Sequence, residues 1–204
     1  MARPRGYNTD TVLKAAMTVF WRQGYAATSM SDIYAATGLK PGNLYATFTD
    51  KETLFARAFE AYAAQFRATL PEGLEGRAAI EAWVAVQARL ATADPDRKGC
   101  LIINTITERE VHTAANRALA AERLEEIRAF FRQHLALAQE RGEIEAGKVE
   151  TLEAGLTGAV VAIMSLARAG VPAAMIDGVA AQAIAALGPA ARVAASALGD
   201  STVG

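Results

Sequence analysis

Residues 28–48 read TSMSDIYAATGLKPGNLYATF, two short helices hinged at a glycine. Ser29 is a good N-cap, and Asp32 three positions on completes a capping box with a short acid. Met30, Ile33 and Ala36 follow at helical spacing as one apolar stripe. Gly38 can take the left-handed conformation that ends a helix. Pro41 suits the first turn of the next helix, where its missing N–H has no partner to lose. Leu44 and Phe48, four apart, would pin that helix to a core, leaving Lys40, Asn43, Tyr45 and Thr47 off the stripe. Together these make a helix-turn-helix pattern, placed where a DNA-reading head can ride on a separate body.

Arg3 and Arg5 lie in an arm expected to be disordered, and Asn8 caps a first helix over 9–23. Val12, Ala15, Ala16, Val19 and Phe20 line one face of it, and Gly24 ends it. Thr49 and Glu52 read as the capping box of a fourth helix that runs to about residue 70 and stops at Pro71. The segment 71–76, rich in Pro and Gly, is the expected domain boundary. Beyond it, Ile80, Trp83, Val84 and Ala91 share a helical face that ends near Asp94-Pro95. A short helix follows over 100–109. A long one carries Leu124, Ile127, Phe131 and Leu135 and ends near Gly142. Two more span 150–169 and 172–187, and a small-residue tail, 188–204, is expected to be disordered. The β-branched runs at 101–103 and 160–163 are short and sit inside helical pattern, so both read as helix. The fold class is all-α, a head over 1–50 and a body over 71–204, with no internal repeat.

The chain has 204 residues, 52 % hydrophobic but only 7 % aromatic, with alanine abundant, a composition that favours helix. Net charge is −1, too small for a protein that coats nucleic acid. Residues 1–50 carry net +2 and the remainder net −3, a mildly positive head on an acidic body. One cysteine, Cys100, rules out an intrachain disulfide. No signal peptide pattern opens the chain, and the uncharged run 154–167 is too short to span a bilayer, so a cytoplasmic protein is expected.

The stretch around the glycine turn resembles the N-terminal domain of the TetR family of one-component repressors. The residues that carry the likeness are Thr28, Ile33, Gly38-Leu39, Leu44-Tyr45, Phe48 and Lys51-Glu52-Thr53-Leu54, within a match over 9–55. Lys40 stands where the family often has Ser, and Ala46-Thr47 where a bulkier Tyr or His is common, so the operator sequence does not carry over. The resemblance implies that the helix over 50–70 connects the head to a ligand-binding and dimerisation body. It also implies that Thr28, Tyr45 and Lys51 hold phosphates, which sets position and not sequence. It further implies a homodimer through the helices at 150–169 and 172–187, where Gly155 and Gly158 allow close approach.

The expected DNA-binding surface is Thr28, Ser29, Lys40, Pro41, Gly42, Asn43, Tyr45, Thr47 and Lys51. Lys40 suits a guanine edge or a phosphate, Asn43 an adenine, and Gly42 a close backbone approach. Lys51 starts a helix, where backbone N–H groups favour phosphate. The expected effector site mixes apolar and polar groups: Trp83, Gln87, Cys100, Asn104, Phe130, His134 and Met164. Enzymatic chemistry is not expected. His112 and His134 lack metal-ligand spacing, there is no nucleophile motif, and no glycine-rich phosphate loop follows a strand. No cofactor or metal is therefore expected. Glutamates at 122–126 read as a solvated helix face.

The function read from the sequence is a ligand-responsive repressor that binds a palindromic operator as a homodimer and is released by a small molecule. Two other readings stay open. One is an all-α small-molecule binding module with no DNA role. The other is a repressor that senses electrophiles or oxidants through Cys100, because a helix N-terminus can lower a thiol pKa.

Overall fold

A computed structural model describes residues 7–45 and 47–189. The expectations for Arg3, Arg5, Ala46 and residues 190–204 lie outside them. The described residues form nine α-helices and no strand.

Helix α1 (Thr9–Gln23) is capped by Asn8, whose side chain accepts from the N–H groups of Asp10 and Thr11. Helix α2 (Met30–Thr37) has the full capping box. The Ser29 hydroxyl oxygen accepts from Asp32 N–H at 3.1 Å, and the Asp32 carboxylate accepts from Ser29 N–H at 2.8 Å. Such a cap contributes about 1 kcal/mol, and it holds the Asp32 carboxyl below its ordinary pKa through the hydrogen bonds from Ser29. Gly38 closes α2 at φ +67°, the left-handed conformation its position required. Helix α3 (Pro41–Tyr45) buries Leu44. Ala36 is exposed, so the stripe on α2 narrows to Ile33 with Met30 partly covered.

Helix α4 (Lys51–Arg67) starts one residue later than expected. Asp50, not Thr49, is the N-cap, accepting from Thr53 N–H at 2.7 Å. Both residues are good caps, and the carboxylate is the stronger acceptor for a helix N-terminus. The helix also ends earlier, at Arg67, and turns at Thr69 and Leu70 carry the chain on to Pro71.

The head core is Phe20, Ile33, Leu44, Phe48, Leu54 and Phe55, all at most 1 % exposed. Phe20 and Phe55 meet edge to face at 5.2 Å, a favourable geometry for ring quadrupoles.

The body holds α5 (Gly76–Ala93), α6 (Leu101–Thr107), α7 (Ala114–Glu140), α8 (Val149–Ala169) and α9 (Ala173–Ala185). Helix α5 packs on α7, α8 and α9, and α7 also packs on α6 and α8. The expected helix at 100–109 is shorter at both ends and is followed by a single 3-10 turn, Arg109–Val111. Helix α8 is long and apolar enough to cross a membrane. Within this fold its Leu156, Val160 and Ile163 belong to the body core instead. Its buried Glu153 is paired with Arg128 of α7 at 2.8 Å.

Three contacts outside the chain path tie head to body. The Trp21 indole N–H donates to the Gly99 carbonyl at 3.1 Å, Arg22 pairs with Asp96 at 2.5 Å, and Arg168 donates to the Trp21 carbonyl at 3.1 Å. Gly99, at φ +67°, permits this. A Cβ there would lie 2.8 Å from the Met164 carbonyl, so the loop between α5 and α6 sits flush on α8.

Candidate nucleic-acid interface and ligand cavity

Lys40, Pro41, Gly42, Asn43 and Tyr45 are exposed together on α3 and its approach. A clasp from Tyr7 supports that surface. The Tyr7 hydroxyl donates to the Asn43 carbonyl at 3.1 Å and hydrogen-bonds the Thr47 hydroxyl. A helix of five residues cannot hold itself, and Tyr7 anchors it to the start of α1. The sequence gives no local signal for this partner, because 36 residues separate Tyr7 from Asn43. Tyr34 of α2 neighbours Tyr45, and that proximity raises the Tyr34 pKa.

The remaining expected DNA-binding residues are placed differently. Thr28 is only 2 % exposed, and its hydroxyl donates to the Gly24 carbonyl at 2.7 Å. The Ser29 hydroxyl is engaged in the α2 cap. Thr47 is partly buried in the Tyr7 clasp. Lys51 lies at the start of α4, half-buried with its ammonium 4.3 Å over the Tyr25 ring, and burial lowers its pKa.

Below the head lies a cavity of about 450 Å³. Trp21 of α1 forms one wall and Tyr62, Gln65 and Phe66 of α4 another. Gln87, Leu90 and Ala91 of α5 face them, and Asp94, Lys98 and Gly99 of the α5–α6 loop close one side beside Met164 of α8. The volume and mostly apolar lining suit a small ligand. Gln87 and Met164 of the expected effector residues line it directly. Trp83 is fully buried behind Thr69, and the Asn104 amide donates to the Lys98 carbonyl at 2.9 Å. Phe130 lies tilted against Trp83 at 5.0 Å and His134 tilted against Phe130 at 4.5 Å, away from the cavity lining. Trp21, Asp94 and Lys98 escaped sequence reading because only tertiary packing brings them together.

Cys100 is 1 % exposed, and burial pushes its thiol pKa up even though it caps α6. Desolvation thus outweighs the helix terminus, opposite to what thiolate sensing needs. Among the described residues no cluster of three metal-ligating side chains occurs.

His112 sits at the joint between head and body. Its ring packs 4.8 Å from Tyr25 and 5.0 Å from Phe55. Burial lowers its pKa, and the nearby cations Arg117 and Lys51 add to this. Its buried Nδ1 has no hydrogen-bond partner among the described residues, so an imidazolium would have no acceptor for its Nδ1 proton. A folded-state pKa below the unfolded value of about 6.5 means the unfolded chain binds more protons in acid. Stability is therefore full above about pH 6.5 and falls as pH drops toward the folded pKa. His134, lowered by burial, adds in the same direction. Melting curves from pH 7.5 to 5 should show this fall, and His112→Phe should make it shallower. An unchanged slope in the variant would remove His112 from this role.

Residues 12–58 match the family described as bacterial regulatory proteins, tetR family, and residues 73–187 match a tetracyclin repressor-like C-terminal domain. The chain is 34 % identical over 149 residues to the HTH-type transcriptional repressor ComR of Escherichia coli (strain K12), covering 70 % of each protein. A cysteine-substituted form of the TetR family transcriptional regulator CifR, solved with 26-bp double-stranded operator DNA, is similar at 26 % identity and a TM-score of 0.79. That likeness covers 90 % of this chain and 99 % of CifR. A TetR transcriptional regulator from Chloroflexus aurantiacus J-10-FL is similar at 28 % identity and a TM-score of 0.78, covering 86 % and 91 %.

Proposed function

The chain belongs to the tetR family of bacterial regulatory proteins, and on that premise we propose that it is an operator-binding repressor released by a small molecule in the junction cavity. The observation that carries the reading is the cavity's walls. One ligand there touches the head through Trp21, the connector through Tyr62 and Phe66, and the body through Gln87 and Met164. A molecule that fits one arrangement of these elements better than another shifts the heads by its differential affinity, and DNA weakens its binding by the same factor.

Operator contact is assigned to Lys40, Gly42, Asn43 and Tyr45 on the exposed α3 surface, with Lys51 at the start of α4. Thr28, Ser29 and Thr47 shape that surface from behind through the hydrogen bonds described above. CifR binds duplex operator DNA, as its structure states, and the same use of this head follows from the likeness. The signal is assigned to a reversible ligand and not to Cys100, because the thiol is sealed and its pKa raised.

A two-fold dimer through α8 and α9 completes the reading. Thr151, Gly155, Gly158, Met175, Gly178 and Gln182 are exposed on one face, which has Lys148 as its charged residue, and Met175 is 53 % exposed. An exposed face with this many small and apolar residues and a single charge is typical of a protein interface.

Duplex-binding titrations test the head. Lys51→Ala should weaken every duplex about equally and lower the salt slope by about one unit. Asn43→Ala should cost on the order of 1–3 kcal/mol on the operator and relax preference at one base position. Parent-like binding by both variants would refute the assignment of α3 as the reading element.

A further inference from the structure

We propose that the junction cavity takes an apolar, ring-bearing molecule that donates a hydrogen bond to Gln87 and carries no carboxylate. This rests on the cavity being the effector site.

Thr69 decides which way the Gln87 amide faces. Its hydroxyl donates to the Phe66 carbonyl at 2.7 Å, so its only proton is committed and its oxygen can only accept. It accepts from the Trp83 indole N–H at 3.1 Å and from the Gln87 amide at 3.0 Å. Gln87 must therefore present its NH₂ to Thr69, which fixes the amide orientation and leaves Oε1 as an acceptor. No group among the described residues donates to Oε1. It is not one of the sealed polar atoms either, so it opens onto space. Gln87 is 1 % exposed overall, and the space it borders is the cavity. The neighbouring Gly99 carbonyl is already taken by Trp21. An amide oxygen that opens onto the cavity without a protein donor is an acceptor that a ligand O–H or N–H engages.

The charges at the cavity disfavour an acid. Lys98 is shared between Asp94 at 2.6 Å and Asp96 at 3.2 Å. Asp94 lines the same space. Burial opposes its ionisation, but the hydrogen bonds from Lys98 outweigh that and hold its pKa below the ordinary value. An incoming carboxylate would meet Asp94 as a like charge and compete with two aspartates for one ammonium. The rings of Trp21, Tyr62 and Phe66 supply the flat apolar walls.

Three probes on one ring system test this by calorimetric titration of the full-length protein: 2-naphthol, 2-methoxynaphthalene and 2-naphthoate. The naphthol should bind on the order of tenfold tighter than its methyl ether, and the naphthoate weakest of the three. Gln87→Leu should bring the naphthol down to the ether while leaving the ether unchanged. An ether that binds as tightly as the naphthol, a naphthoate that binds tightest, or a preference that survives in Gln87→Leu overturns the proposal. Absence of binding by all three overturns the cavity as the effector site, and the proposal with it, while leaving operator recognition by the head untouched.

Discussion

Gly158→Arg should sediment as a monomer at about 10 μM and lose specific operator binding, while folding like the parent. The separation of these effects follows from the geometry. A Cβ built at Gly158 meets nothing within 4 Å, and the residue faces an open groove of about 880 Å³ between α8 and α9. Nothing in the single chain resists the larger side chain. Arginine is in fact a better helix former than glycine, by roughly 0.5–1 kcal/mol in an exposed helix interior. In a two-fold interface the substitution appears twice, so it sets two like charges in a face built for close approach of small residues. Operator reading needs two recognition helices about 34–36 Å apart. A monomer keeps one head, so it should fall toward non-specific affinity, a loss of about 10³-fold or more. Sedimentation velocity, circular dichroism and operator titration together decide the matter. A dimer of parental strength would move the interface off α8 and α9, and a monomer with parental operator affinity would break the link between assembly and reading.

The parts of this fold that sequence reading reached are those whose signals are local. Ser29 and Asp32 cap each other three residues apart, and Gly38 needs only its own backbone conformation. The four-residue spacing of Leu44 and Phe48 places both in the core at no more than 1 % exposure. Where two local signals compete, sequence decides less well, as with Thr49 and Asp50 at the start of α4. Thr28 shows a different limit. A threonine beside an exposed helix start looks available for phosphate, but its hydroxyl reaches back four residues to the Gly24 carbonyl and is buried there. The cavity was legible only in part. Gln87 and Met164 point into it, whereas Phe130 and His134 fall on the other side of Trp83. A helical stripe tells which residues share a face, but not which neighbour covers that face. Contacts such as Trp21 to Gly99, 78 residues apart, and Arg168 to Trp21, 147 apart, carry no sequence signal at all.

Arg168→Ala should lower operator affinity roughly tenfold, with non-specific duplex binding unchanged. Arg168 ends α8, the proposed dimer helix, and its guanidinium reaches three elements at once. It donates to the Trp21 carbonyl at 3.1 Å, to the Lys98 carbonyl at 3.2 Å and to the Glu108 carboxylate at 3.3 Å. The first of these joins the dimer helix directly to α1 of the head without passing through α4. The clamp at the end of α8 therefore fixes each head alongside the connector and the Trp21–Gly99 and Arg22–Asp96 contacts. Without the clamp each head stays folded, because its own core of Phe20, Ile33, Leu44 and Phe55 is intact. Its orientation relative to the two-fold axis then spreads over more states, so the competent spacing is a smaller fraction of the population. Apparent affinity falls by that fraction. Non-specific binding does not require a fixed spacing, so it serves as the internal control. The same substitution should also shrink any effect of a cavity ligand on operator binding, since Trp21, Lys98 and Gly99 transmit it from the cavity wall. Anisotropy titrations on operator and scrambled duplexes check this. An equal loss on both would mean that the head itself is damaged, and no loss on either would mean that the connector and the other head–body contacts orient the head without Arg168.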